Sequence, residues 1–198
     1  MKKFLCVLLT MALALTAVTA FAATPSKTTA NTTRVVRNSA EGQGVLVFVT
    51  EDAEEVLAEI AKVFTAVNTD GMAPIEYFPE DVQAAVAALL PEGFDLKTLE
   101  LNEFVTVDQS GYTDALGDVT AYCEFATPYA VGQKLVMLLG FYSGEKDAQD
   151  NYEVEWVALA AEVQEDGLVA VTIPAECMVK MQTSKAVAAA VLSEPVAE

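Results

Sequence analysis

The sequence predicts an α+β protein: a small helical unit of one strand and two helices, followed by an antiparallel, Ig-like β-sandwich. Two observations carry this expectation. Apolar residues recur at three- to four-residue spacing from Val56 to Leu89, then alternate with polar ones from Leu99 onward. Turn residues divide that second region into six runs of strand length.

The chain opens MKKFLCVLLTMALALTAVTAFAA. Lys2 and Lys3 form a positive n-region, Phe4 to Val18 an apolar run, and Ala20-Phe21-Ala22 a small-x-small cleavage motif, so residues 1–22 read as a secretory signal peptide. The uncharged stretch from Phe4 to Ala23 also approaches the ~20 residues that span a bilayer, which leaves retention as an anchor open. Cys6 lies inside the apolar run and is lost with the leader if it is cut. No later stretch is long and apolar enough to span, so no membrane span is expected after cleavage.

Residues 23–44 read as a flexible, Thr-rich linker, because TPSKTTANTTRVVRNS has little apolar surface to bury. It holds Lys27, Arg34 and Arg37, and the glycosylation sequon Asn31-Thr32-Thr33. Its basic side chains suit contact with an anionic wall polymer that the acidic body avoids.

The helical unit spans 45–98. Val45 to Val49 has strand length, and EDAEEVLAEIAKVFTAV then reads as a helix with Val56, Ile60, Phe64 and Val67 on its inner stripe, widened by Leu57 and Ala61. Asp52 suits the N-cap, with Glu55 as its capping-box partner. A second helix starts near Pro79, turns Val82, Val86 and Leu89 to one face, and stops at Pro91 and Gly93. A unit this small buries little alone and is expected to dock on the strand-rich remainder of the chain.

The sandwich is assigned to 99–198. Its runs are LELNEFVTV, DVTAYCEFAT, KLVMLLGFYS, YEVEWVALAAEV, LVAVTIP and KAVAAAVLSE, with an Asp-Gly hairpin signal at Asp166-Gly167. AECMVKMQ suggests one helical turn between the last two runs, and alanine-rich 186–190 is compatible with either strand or helix. Cys123 and Cys177 remain after the leader. An exported location permits a bridge between them, but both sit among apolar residues and equally suit burial as free thiols.

Composition excludes more than it assigns. The formal charge of −18, more negative still without Lys2 and Lys3, repels nucleic acid and anionic membranes. A mean hydropathy of +0.34 beside that charge implies a filled core under a carboxylate-rich surface. Zero histidines remove Ser-His-Asp and Cys-His catalysis and histidine-bearing zinc or copper sites. No Walker loop, G-x-G-x-x-G or G-x-S-x-G is present. A Ser-Lys dyad would need Ser143 or Ser184 beside a desolvated lysine.

Two stretches invite a site. GEKDAQDNYEVEW fails the EF-hand spacing, with Tyr152 where glycine and Ala158 where glutamate belongs. Asp147, Asp150 and Asn151 could still join Asp108, Asp114 or Asp118 around calcium; the plainer alternative is a solvated acidic turn. Trp156 alternates with Tyr152 and Val154 and is expected in the core; the sharper alternative is an exposed ring stacking on a ligand with Tyr112 or Tyr129.

The sequence therefore leads to a secreted or cell-surface, acidic, non-enzymatic protein that binds or scaffolds, with an extracellular protein or glycan as partner and no cofactor. Its outline resembles that of small exported bacterial proteins carrying Ig-like modules, and no motif names a family. The alternatives are a carbohydrate-binding or carboxylate-based carbohydrate-active protein and a calcium-stabilised adhesin-like module.

Overall fold

A computed structural model describes residues 34–39, 47–48, 53–108, 117–126 and 128–195. The leader with Cys6, the sequon, and residues 23–33 and 40–44 of the linker lie outside the described residues. In chain order the elements are β1 (Arg34–Asn38), β2 (Val47–Phe48), α1 (Glu54–Asn68), α2 (Glu80–Leu89), β3 (Glu100–Asp108), β4 (Val119–Glu124), β5 (Leu135–Lys146), β6 (Tyr152–Val163), β7 (Val169–Ile173), α3 (Ala175–Thr183) and β8 (Ala186–Ser193), with 3₁₀ turns at Pro74–Tyr77 and Leu96–Thr98. All six expected runs are strands, and AECMVKMQ lies in a helix of nine residues.

The class is α+β, mostly antiparallel sheet, but the strands do not divide into two facing sheets. They form one eight-stranded sheet of order β1-β4-β7-β6-β5-β8-β3-β2, with each adjacent pair antiparallel. β5 bonds to both β6 and β8, so hydrogen bonding runs unbroken where a sandwich would separate its layers. The sheet curls instead, and Cα atoms of its edge strands β1 and β2 come within 8 Å of each other. Register shifts in three ladders, at Val35/Arg37, Leu101/Glu103 and Tyr142/Lys146, supply the extra twist that such curling needs.

The curl gives the sheet an inner and an outer face. Inside, Met137 and Leu139 of β5, Val187 and Val191 of β8, and Ala121 of β4 share one apolar core, to which α3 adds Cys177, Met178 and Met181. Outside, α1, the first 3₁₀ turn and α2 set Val56, Val63, Ile75, Phe78 and Val86 against Val136, Leu138, Tyr142 and Trp156. The helical unit thus shares a core with β3, β5, β8 and the first half of β6. Every residue of β8 is buried, and the ambiguous alanines lie within it. Ala186, Ala188 and Ala190 face the helices, where small side chains let α1 approach the sheet closely.

Gly140 serves the same purpose for one large ring. It pairs across the ladder with Trp156, and a Cβ at 140 would lie 2.6 Å from Cζ3 of the indole. The indole meets Phe78, Phe104 and Tyr142 edge-on, at centroid distances of 5.1, 5.9 and 6.3 Å.

Four sequence expectations need correction. Arg34–Asn38, assigned to the flexible linker, is an edge strand paired with β4. Val35 packs on the inner core, while Arg34 pairs with Glu124, Arg37 reaches Asp166, and the Arg37 guanidinium stacks 4.1 Å from the Tyr122 ring centroid. Helix α1 is also rotated from its expected stripe. It buries Val56, Glu59 and Val63 and leaves Leu57 and Phe64 each 42 % exposed. Its N-cap is Ala53, whose N–H donates to Thr106 Oγ1 at 3.2 Å; Asp52 lies outside the described residues. At the end of α2, Leu90 rather than Leu89 is buried.

Cys123 and Cys177 are free thiols buried in the same inner core. Burial pushes Cys123 up to about 12 and Cys177 up to about 11. In a thiol-titration assay both should stay unreactive until denaturant unfolds the chain, and then react together. Gly140→Ala should destabilise the fold by about 1–3 kcal/mol through overpacking against Trp156, read as a lower denaturation midpoint at unchanged m-value.

Candidate functional site

The 144–151 stretch turns β5 into β6, and its polar groups hold that turn. Asp147 Oδ1 accepts from the N–H groups of Gln149 and Asn151, both at 2.8 Å, and Oδ2 accepts from Asn151 Nδ2 at 3.0 Å. The Asn151 side chain, then the backbone bonds, hold the Asp147 carboxyl below the usual carboxylate range. Asp150 sits at φ 65°, a left-handed conformation that aspartate tolerates, and pairs with Lys146 at 3.1 Å. Asp118 Oδ1 accepts from the Ala175 N–H at the start of α3, and Asp108 ends β3 opposite Val47. Asp114 lies outside the described residues. Among the described residues no three His, Cys, Asp or Glu side chains group as a metal site.

The aromatic candidates do not share a surface. Trp156 and Tyr129 are each 8 % exposed and belong to different cores, one outside the sheet and one inside it. Tyr129 packs edge-on against Phe125 at 5.9 Å. Burial, then the charge of Glu103, pushes its hydroxyl well above the usual phenol range. Tyr112 lies outside the described residues. A stacking platform combining Trp156 with Tyr129 would require one of them to leave its core.

Three shallow grooves on the described surface bear on a site. The first, about 350 Å³, runs between the β5–β6 hairpin and α3 and is lined by Phe141, Ser143, Glu153, Glu155, Lys180 and Ser184. It brings both candidate serines beside a lysine, but in the wrong protonation state for a base. Lys180 Nζ donates to Glu155 Oε1, and that bond raises its pKa and holds it as an ammonium ion. Ser184 Oγ donates instead to the Lys180 carbonyl at 2.7 Å. Phe141, the groove's aromatic residue, is 5 % exposed and lies beneath the Lys180 ammonium, so it offers no free ring face.

The other two grooves lie on the outer sheet face where the helical layer stops. One, about 380 Å³, crosses β6, β7 and β4 over Thr120, Tyr122, Glu162, Ala170 and Thr172. The other, about 300 Å³, runs past Leu89, Leu90, Val131, Gln133 and Lys134. They share Ala160, Ala161 and Glu162 and so form one strip. The Thr120 and Thr172 hydroxyls meet at 3.0 Å within it, and the Arg37–Tyr122 stack forms its rim. Gln133 anchors the wall through Nε2 to the Glu194 carbonyl and Oε1 from the Ala130 N–H. Sequence reasoning missed this strip. Its signal was present in the small outward residues of these strands, Ala160, Ala170, Thr120 and Thr172, which no helix was available to cover.

Calcium and magnesium at matched ionic strength should raise the thermal midpoint equally and slightly, through charge screening alone. Asp147→Ala should lower that midpoint by the same amount with or without calcium, because the carboxylate serves the turn.

Comparison with known protein families, curated proteins and solved structures found no match to the chain.

Proposed function

We propose that the protein is an exported or cell-surface, acidic, non-enzymatic binding module whose partner is an extended extracellular glycan. The observation that carries this reading is the uncovered strip along β6, β7 and β4, two connected shallow grooves in place of one deep pocket. Its shape suits a chain-like ligand lying across strands better than a compact metabolite, which binds in an enclosed cavity. Its lining of hydroxyls, small side chains and Glu162 suits a polar polymer better than an apolar one. The leader, with its n-region and cleavage motif, supports export, and the absence of histidine supports binding over catalysis. The Ig-like idea survives here only as the general role of a β-rich module, with binding moved from its end loops to a sheet face.

Ala160 is exposed at the junction of the two grooves, so Ala160→Arg fills the strip without disturbing a core. On a glycan array and on immobilised wall polysaccharide, the native chain should bind and Ala160→Arg should lose at least about tenfold in affinity, which is about 1.4 kcal/mol. Equal binding by the two proteins would move the site elsewhere, and no glycan binding by either would sink the reading.

A further inference from the structure

Helix α1 buries Val56 and Val63 as an amphipathic helix does, but it also departs from that arrangement. It turns Leu57 and Phe64 to solvent and places the carboxylate of Glu59, 6 % exposed, against the sheet. Glu59 Oε1 accepts a hydrogen bond from the Tyr77 hydroxyl at 2.9 Å. Tyr142 rises from β5 beneath the same layer, fully buried, and its hydroxyl has no hydrogen-bond partner among the described residues. Among the described residues, few charged groups act on this site. Lys62 and Glu55 lie on α1 itself, and β8 presents Ala186, Ala188, Ala190 and Leu192 to the shared core. β3 contributes Phe104 and the Thr106 hydroxyl, the latter already accepting from Ala53.

An ionised carboxylate in this place carries a large desolvation cost against a single short-range donor. A protonated one is neutral and removes most of that cost. We propose that Glu59 is a proton-operated latch: protonated, it holds α1 on the sheet, and ionised, it releases α1 from the outer face over Tyr142 and Trp156. Burial raises the Glu59 pKa, opposed by the smaller effects of Tyr77 and Lys62. A raised value in the docked state makes docking strongest below the ordinary glutamate range and weakens it as pH climbs through the raised value. This inference goes beyond the binding role and stands whether or not the strip binds glycan.

Hydrogen exchange of the 54–68 amides, corrected for intrinsic rates, tests it between about pH 4.5 and pH 8, with Trp156 emission as a second readout. In the native chain α1 should lose about tenfold in protection for each unit by which the docked pKa exceeds the free one, and the emission should shift to the red. Glu59→Gln should hold both signals constant. Tyr77→Phe, which strips the ionised carboxylate of its donor, should enlarge the loss and decides the matter if Glu59→Gln does not fold. Protection that stays flat with pH in the native chain, or falls equally in Glu59→Gln, would overturn the latch.

Discussion

β8 is buried on both faces along its whole length, as are most of β3 and the first eight residues of β5, and the rest of the molecule supplies cover for those two faces. Each Leu, Val or Met so placed contributes about 1.5–3 kcal/mol relative to exposure, which makes double cover the dominant stabilising demand. The inner cover comes from the sheet itself, by curling, with α3 filling the core through Cys177, Met178 and Met181. The outer cover comes from α1, the Pro74–Tyr77 turn and α2. A helical unit of this size has too little core to stand alone, and three doubly buried strands cannot face water. Each requires the other.

Close packing on the outer face then fixes side-chain size at particular positions. Alanines on β8 bring α1 near, and Gly140 leaves room for the Trp156 ring that ties together Phe78, Phe104 and Tyr142. Two carboxylates are enclosed by the fold, Glu59 beneath α1 on the outer face and, on β3 near Tyr129 of the inner core, Glu103, which has no exposed surface. Taking a carboxylate out of water is costly enough that each needs a specific reason. For Glu103 the neighbourhood is polar: Asn102 Nδ2 donates to Ser193 Oγ at 2.6 Å, and Ser193 Oγ donates to the Glu194 carbonyl. For Glu59 the support is one tyrosine hydroxyl, a much thinner compensation.

Periodicity made the individual elements legible. Alternation found every strand from β3 to β8 to within a few residues, and Asp166-Gly167 marks the β6–β7 turn, with Gly167 at φ 81°. Periodicity says which residues share a face, but not what lies against that face. One curled sheet and two stacked sheets therefore read alike until β5 is seen bonded to both β6 and β8. The same limit explains α1, where two overlapping apolar stripes were available and Tyr77 and Thr106, remote in sequence, selected the one containing Glu59. β1 was missed because a five-residue edge strand with three exposed positions looks like linker, and its arginines are anchored by residues remote in sequence, Glu124, Asp166 and Tyr122. Of the candidate site, the 144–156 stretch was legible as a turn, whereas the strip depends on where the helical layer ends.

That ending links the two halves of the outer face. β6 runs beneath both: Trp156 and Ala158 lie under the helices, while Ala160, Glu162 and Gln164 line the bare strip. The wall between them is the end of α2, because Leu89 and Leu90 line one groove and Leu90 also belongs to the covered core. α2 in turn shares that core with α1 through Val82, Val86 and Ile75. A groove walled by a docked helix keeps its shape only while the helix is docked. The strip is therefore a property of the assembled layer, and any change that frees the helices from β5 and β8 alters the surface offered to a partner before it disturbs the inner core.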